Sequence, residues 1–149
     1  MLAPLLIPIA TLAVVLLVFF ADMAVNGDNK RGLSALTTMG LVGVLGFTFV
    51  APTGMAFDGG YAQDAFTLFV QRTVLVAGII GALGSIDHAD RIFPRRQGEY
   101  YLMLLFSIIG MLVLPGARDL VTVVVAFELM GIPLYVMAAM HKKSQAGVE

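Results

Sequence analysis

Apolar residues run along this chain in five long blocks separated by short polar clusters. The first block, Ala3 to Val25, is broken by Asn26-Gly27-Asp28-Asn29-Lys30-Arg31. The second, Leu33 to Ala51, is closed by Pro52-Thr53-Gly54. Asp58-Gly59-Gly60 then gives a strong turn signal, with room for a small hairpin. The third block is Phe66 to Ile86, and the polar stretch Asp87 to Gly98 behind it is expected to be a loop with three arginines. The fourth runs from Glu99 to Leu114 and ends at Pro115-Gly116; the fifth is Asp119 to Met140. About 20 residues, each rising about 1.5 Å, cover the roughly 30 Å hydrocarbon core of a bilayer. Each block therefore predicts a membrane span, the fourth being short. The fold class is all-α: a polytopic transmembrane helix bundle of about five spans.

Composition strengthens this reading. Of the 149 residues, 59% are hydrophobic and 13% charged, against roughly 45–50% apolar and 25% charged for soluble domains. The net charge of −1 suggests no nucleic-acid partner. With no cysteine, the chain itself holds no disulfide, thiolate zinc site or cysteine-ligated iron–sulfur cluster. Two histidines are too few for a convincing haem or metal site.

The first Lys or Arg is Lys30, so the first block lacks the basic start of a secretory signal and is read as a retained span. Seven basic residues fall on one side: Lys30, Arg31, Arg91, Arg95, Arg96, Lys142 and Lys143. Arg118 is on the other, joined by Arg72 if its long stem reaches outward from the third span. The excess predicts a cytoplasmic location for the first group and an N-terminus outside. Phe57, Tyr61 and Phe66 then lie near the outer interface. Gly40, Gly43 and Gly46, and likewise Gly78, Gly81 and Gly84, recur every third residue. They predict close helix packing and lack the strand–helix context of a dinucleotide-binding loop.

The fifth span holds the candidate chemistry. Glu128 sits near its middle, where a carboxylate costs roughly 2.5–3.5 kcal/mol on the mildest insertion scale. Asp119, behind the Pro-Gly break, is a suitable helix N-cap. Helical spacing puts Glu128 on one face with Val121, Val124, Val125, Gly131, Ile132 and Tyr135. Gly131 leaves room beside the carboxylate, and Tyr135 brings a hydroxyl within two turns. Pro133 removes the N–H that would bond the Leu129 carbonyl and predicts a kink. A carboxylate beside a free carbonyl can hold water, as a proton path requires. The plainer alternative is a structural ion pair with a basic partner from elsewhere, because this chain has no basic residue at that depth. Arg72 is a second-choice ion-pair residue, Asp22 is expected to be solvated, and Glu99 suits a helix N-terminus. His141 with Lys142 and Lys143 reads as an interfacial anchor.

Three segments, GEYYLMLLFSIIGML from Gly98, ARDLVT from Ala117 and FELMGIPLYVMAA from Phe127, resemble the start of the antiporter-like domain of proton-pumping NADH:quinone oxidoreductase, respiratory complex I. The Pro-Leu-Tyr-Val ending is most similar to its subunit N branch; the first three spans agree mainly in number and loop layout. The resemblance implies three N-terminal helices with connecting loops over 1–97, and over 98–149 the truncated start of a proton-translocating domain. It also implies that Glu128 takes part in proton transfer and pairs with a lysine two helices later, which this sequence does not contain. FMN and iron–sulfur clusters would reside on partner subunits and quinone would be the substrate of the complex, so no cofactor is expected in this chain. Partners would be other complex I subunits, especially antiporter-like ones, and the bilayer of a bacterial inner membrane. A multisubunit sodium/proton antiporter component and a structural membrane-assembly subunit are the alternatives.

Overall fold

The computed structural model describes residues 3–24, 31–92 and 96–140. After a 3-10 turn at Ala3–Leu5, α1 runs Leu6–Ala24. Pro8 falls in its first turn, where a missing N–H costs no helical bond. α2 spans Arg31–Phe47. Thr48 stops it before Ala51: its Oγ1 turns back to donate to the Leu45 carbonyl at 2.7 Å, and residues 48–50 form a turn. Strands β1 (Gly54–Ala56) and β2 (Tyr61–Gln63) pair antiparallel, with Met55 opposite Ala62. The turn between them places Phe57, Asp58 and Gly59 at positive φ. Asp and Gly adopt that conformation readily and Phe does not, so Phe57 is the strained member.

α3 (Ala65–Gly84) starts at Asp64, whose Oδ1 accepts the Thr67 N–H at 2.8 Å. The expected loop after it is a second, short helix in part: α4 covers Ile86–Ile92. Its buried Ala89 follows the partly buried Ile86 at helical spacing, and that apolar face is enough to fold the segment back on the bundle. α5 (Gln97–Val113) leads through a 3-10 turn, Leu114–Gly116, into α6 (Leu120–Met140). The turn expected over Asn26 to Lys30, Arg95, and the tail with His141, Lys142 and Lys143 lie outside the described residues.

Among the described residues, four helical stretches are long and apolar enough to cross a membrane: Ala3–Ala24, Ala65–Gly84, Gln97–Gly116 and Leu120–Met140. The 17-residue α2 is shorter. α5 is the hub, packed against α1, α2, α3 and α6. Ile7, Leu41, Leu75, Leu105 and Ile108 form the interior, while Leu17, Phe20, Phe69, Ile80 and Val121 point outward. On a soluble protein such a surface would be an aggregation liability; facing lipid it is the expected exterior.

Only part of each glycine stripe is used. A Cβ on Gly40 would run into Val14 of α1, and one on Gly78 would lie 2.7 Å from Ile108 Cδ1 of α5. Gly43, Gly46, Gly81 and Gly84 meet nothing. A three-residue step falls about 60° short of a full helical turn, so the stripe drifts off a neighbour after one member.

Candidate functional site

Asp119 sets the start of α6 as its spacing predicts. Its Oδ1 accepts the Thr122 N–H at 2.9 Å, and Thr122 Oγ1 donates to Oδ2 at 2.6 Å. The hydroxyl bond, followed by the amide bond, holds the Asp119 carboxyl below the usual carboxylate range. The same end is braced by the hairpin. Arg118 N–H donates to the Gly60 carbonyl at 2.8 Å, Tyr61 and Ala117 form a β-bridge, and Arg118 Nη2 lies 2.8 Å from Asp64 Oδ2. Asp64 is likewise depressed, chiefly by the Thr67 N–H, then by the Thr67 side chain, with Arg118 adding to both.

With Leu120 as its first residue, the 21-residue helix carries Glu128 at its ninth, near mid-span. Glu128 is exposed, on a face it shares with exposed Val121, Val124, Val125, Ile132 and Tyr135. Ala126 and Pro133 are the buried positions, and Leu129 packs partly against the core. α6 therefore meets α5 along one side and turns its carboxylate away. Among the described residues Glu128 has no hydrogen-bond or ion-pair partner. A Cβ on Gly131 would lie 3.7 Å from Tyr135 Cε2, so the Tyr135 ring borders the gap that Gly131 leaves. The helix continues through Pro133 to Met140; the expected kink does not interrupt it, since one lost N–H leaves the flanking bonds in place. α5 and α6 approach closely at Gly110, whose Cβ would stand 2.5 Å from Met130 N and 2.8 Å from the Ala126 carbonyl.

Arg72 does not reach toward mid-span. Its Nη2 donates to the Thr48 carbonyl at 3.0 Å and its Nε to Thr48 Oγ1 at 3.2 Å, and the guanidinium lies 4.4 Å above the Phe49 ring. It caps the end of α2, where unpaired carbonyls favour a cation. Asp22, expected in solvent, instead lies against Gly98 in the first turn of α5, where a helix N-terminus favours a carboxylate.

The interior also holds a polar connection that the sequence did not single out. Gln71 is fully buried in α3. Its Nε2 donates to the Leu112 carbonyl at 2.9 Å and to Tyr61 Oη at 3.2 Å. Burial pushes the Tyr61 hydroxyl up to about 12, the Gln71 bond opposing it. A lone amide inside an apolar block was the one available signal. Among the described residues no three His, Cys, Asp or Glu side chains gather as a metal site would require.

Long apolar helices packed around one hub, with a lipid-like exterior and a carboxylate halfway down a rim helix, define a polytopic α-helical membrane protein. No protein-family model matches the chain. It is 34% identical over 128 residues to the NADH-quinone oxidoreductase subunit N of Heliobacterium modesticaldum, a match over 82% of this chain and 27% of that protein. It is 31% identical over 148 residues to the subunit N of Moorella thermoacetica (96% and 31%) and 31% over 137 residues to that of Desulforamulus reducens (88% and 29%). The chain belongs to the NADH-quinone oxidoreductase subunit N family. It spans under a third of the length of these relatives.

Proposed function

We propose that the chain is part of a membrane-arm subunit of NADH:quinone oxidoreductase that takes part in proton translocation coupled to electron transfer from NADH to quinone, with Glu128 as its proton-transfer group. The observation that carries this reading is the placement of Glu128: mid-span on α6, on the face turned away from α5, in a chain of the subunit N family. A carboxylate there is costly unless a partner or a proton path uses it. The basic partner comes from outside the described residues. Gly131, Tyr135 and Pro133 support the site by space, a hydroxyl and a freed carbonyl. FMN and the iron–sulfur clusters belong to other subunits, and neighbouring antiporter-like subunits are the contacts along the bilayer. The distribution of basic residues orients the N-terminus outside a bacterial inner membrane.

The test is Glu128→Gln and Glu128→Ala in the assembled complex. Redox-driven proton uptake into vesicles falls in both while the full set of subunits still co-purifies. Normal pumping per assembled complex would reject the proton role and leave a structural contact.

A further inference from the structure

The braced end of the bundle borders an open cleft of about 730 Å³ between the hairpin, the start of α3 and Arg118. Its wall includes Met55, Gln63, Asp64, Ala65 and Arg118. Three polar side chains there have bonding capacity left over. Arg118 uses only Nη2 on Asp64; among the described residues its Nε and Nη1 have no partner. Asp64 Oδ2 accepts that one bond, and both side chains are about half exposed. Gln63 is buried. Its Nε2 donates to the Pro52 carbonyl at 3.2 Å, beside Thr53 of the same wall, while its Oε1 has no partner among the described residues. The cleft thus presents free donors and free acceptors side by side. A simple anion drawn to the Arg118 guanidinium would also meet the Asp64 carboxylate. A molecule that carries both an anion and an N–H-bearing cation satisfies the two together.

Asp64 immediately precedes α3, and Arg118 stands two residues before α6. Both helices are long and apolar enough to cross a membrane, so the cleft lies where they leave the hydrocarbon, at the depth of lipid headgroups. The surface leading away from it is apolar. Met55 in the cleft is exposed, and so is Phe69, which follows Ala65 by four residues and continues its side of α3 toward mid-membrane. We propose that the cleft binds the headgroup of an aminophospholipid. The phosphate accepts from the free N–H groups of Arg118, the primary ammonium donates to Asp64 with Gln63 Oε1 as the neighbouring acceptor, and an acyl chain lies along Met55 and Phe69. A choline headgroup has no N–H to donate, and a glycerol headgroup has no cation for Asp64. The inference uses neither Glu128 nor the proton-transfer reading.

The experiment is photolabelling of the complex that carries this chain, held in phosphatidylglycerol nanodiscs. Two probes carry the same diazirine near the top of one acyl chain, one on phosphatidylethanolamine and one on phosphatidylcholine. Adducts at Met55 and Phe69 are counted by peptide mass spectrometry. The ethanolamine probe labels both about tenfold more than the choline probe, as loss of one charge-assisted hydrogen bond implies. Arg118→Gln removes the phosphate donors. Asp64→Asn removes the charge that holds the ammonium but keeps an oxygen for the Thr67 N–H, so it decides the matter if Arg118→Gln does not assemble. In each assembled variant the two probes label equally, while Glu128→Gln keeps the preference. Equal labelling in the unaltered protein, no labelling at these residues, or a preference that survives Asp64→Asn overturns the site. Displacement of the probe by millimolar free phosphoethanolamine would reassign the cleft to a soluble zwitterion and overturn the lipid as its occupant.

Discussion

Gln71 illustrates how much one side chain settles. The Leu112 carbonyl lies in the last turn of α5, where helical partners run out, and the Gln71 amide from α3 supplies the missing donor. Replacing Gln71 by Leu strands a buried carbonyl and a buried tyrosine hydroxyl. That costs about 1–3 kcal/mol, read as a lower denaturant midpoint of the detergent-solubilised protein. Tyr61→Phe leaves the Leu112 bond intact and costs about 0.5–1.5 kcal/mol; equal losses in the two variants would refute this division. Asp119 was legible in the sequence because its signal is local, a Pro-Gly break followed by a capping residue. Gln71 was not, because its acceptor is 41 residues away and no local pattern announces it. Asp22 was misread for the same reason: its neighbour Gly98 belongs to a distant helix.

Among the elements, the hairpin and the starts of α3 and α6 form one braced end. Asp64 and Asp119 cap the two helices, and both carboxyls are held below their usual range. The folded state therefore releases their protons more readily than the unfolded chain. Their contribution is fully present above the ordinary carboxylate range and is lost as the pH falls through the depressed values. Acidification below that range should raise hydrogen exchange at the Thr67 and Thr122 amides relative to amides in the middle of α5. Protection that does not change with pH would dismiss the caps as a source of stability. The spans themselves were readable to within a few residues, since apolar length is a coarse and strong signal. α2 ended early because Thr48 bonds back on its own helix, and α4 was missed because a seven-residue helix inside a charged stretch has little periodicity to offer.

For the whole molecule, the number of apolar helices was legible in the hydropathy pattern but their arrangement was not. Hydropathy marks as spans both α5, half buried over its most apolar stretch, and α6, only 11% buried over its own. Both read as apolar blocks, yet one is the hub and the other the rim. That difference determines where Glu128 stands, because a carboxylate on the hub would have been enclosed by the helices already present. On the rim it faces away from α5 and the core.

Gly110 carries this arrangement into mutational tolerance. In a helix alanine is favoured over glycine by about 1 kcal/mol, so an alanine scan of this chain should divide its glycines by sign. At Gly43, Gly46, Gly81 and Gly84, open on the surface, the substitution should be neutral or beneficial. At Gly110 the new methyl meets backbone, not a side chain that can swing aside, and overpacking of that kind costs about 1–3 kcal/mol. A library screened for membrane-folded protein would then show Gly110 as the intolerant glycine that marks the seam from which the carboxylate helix is hung.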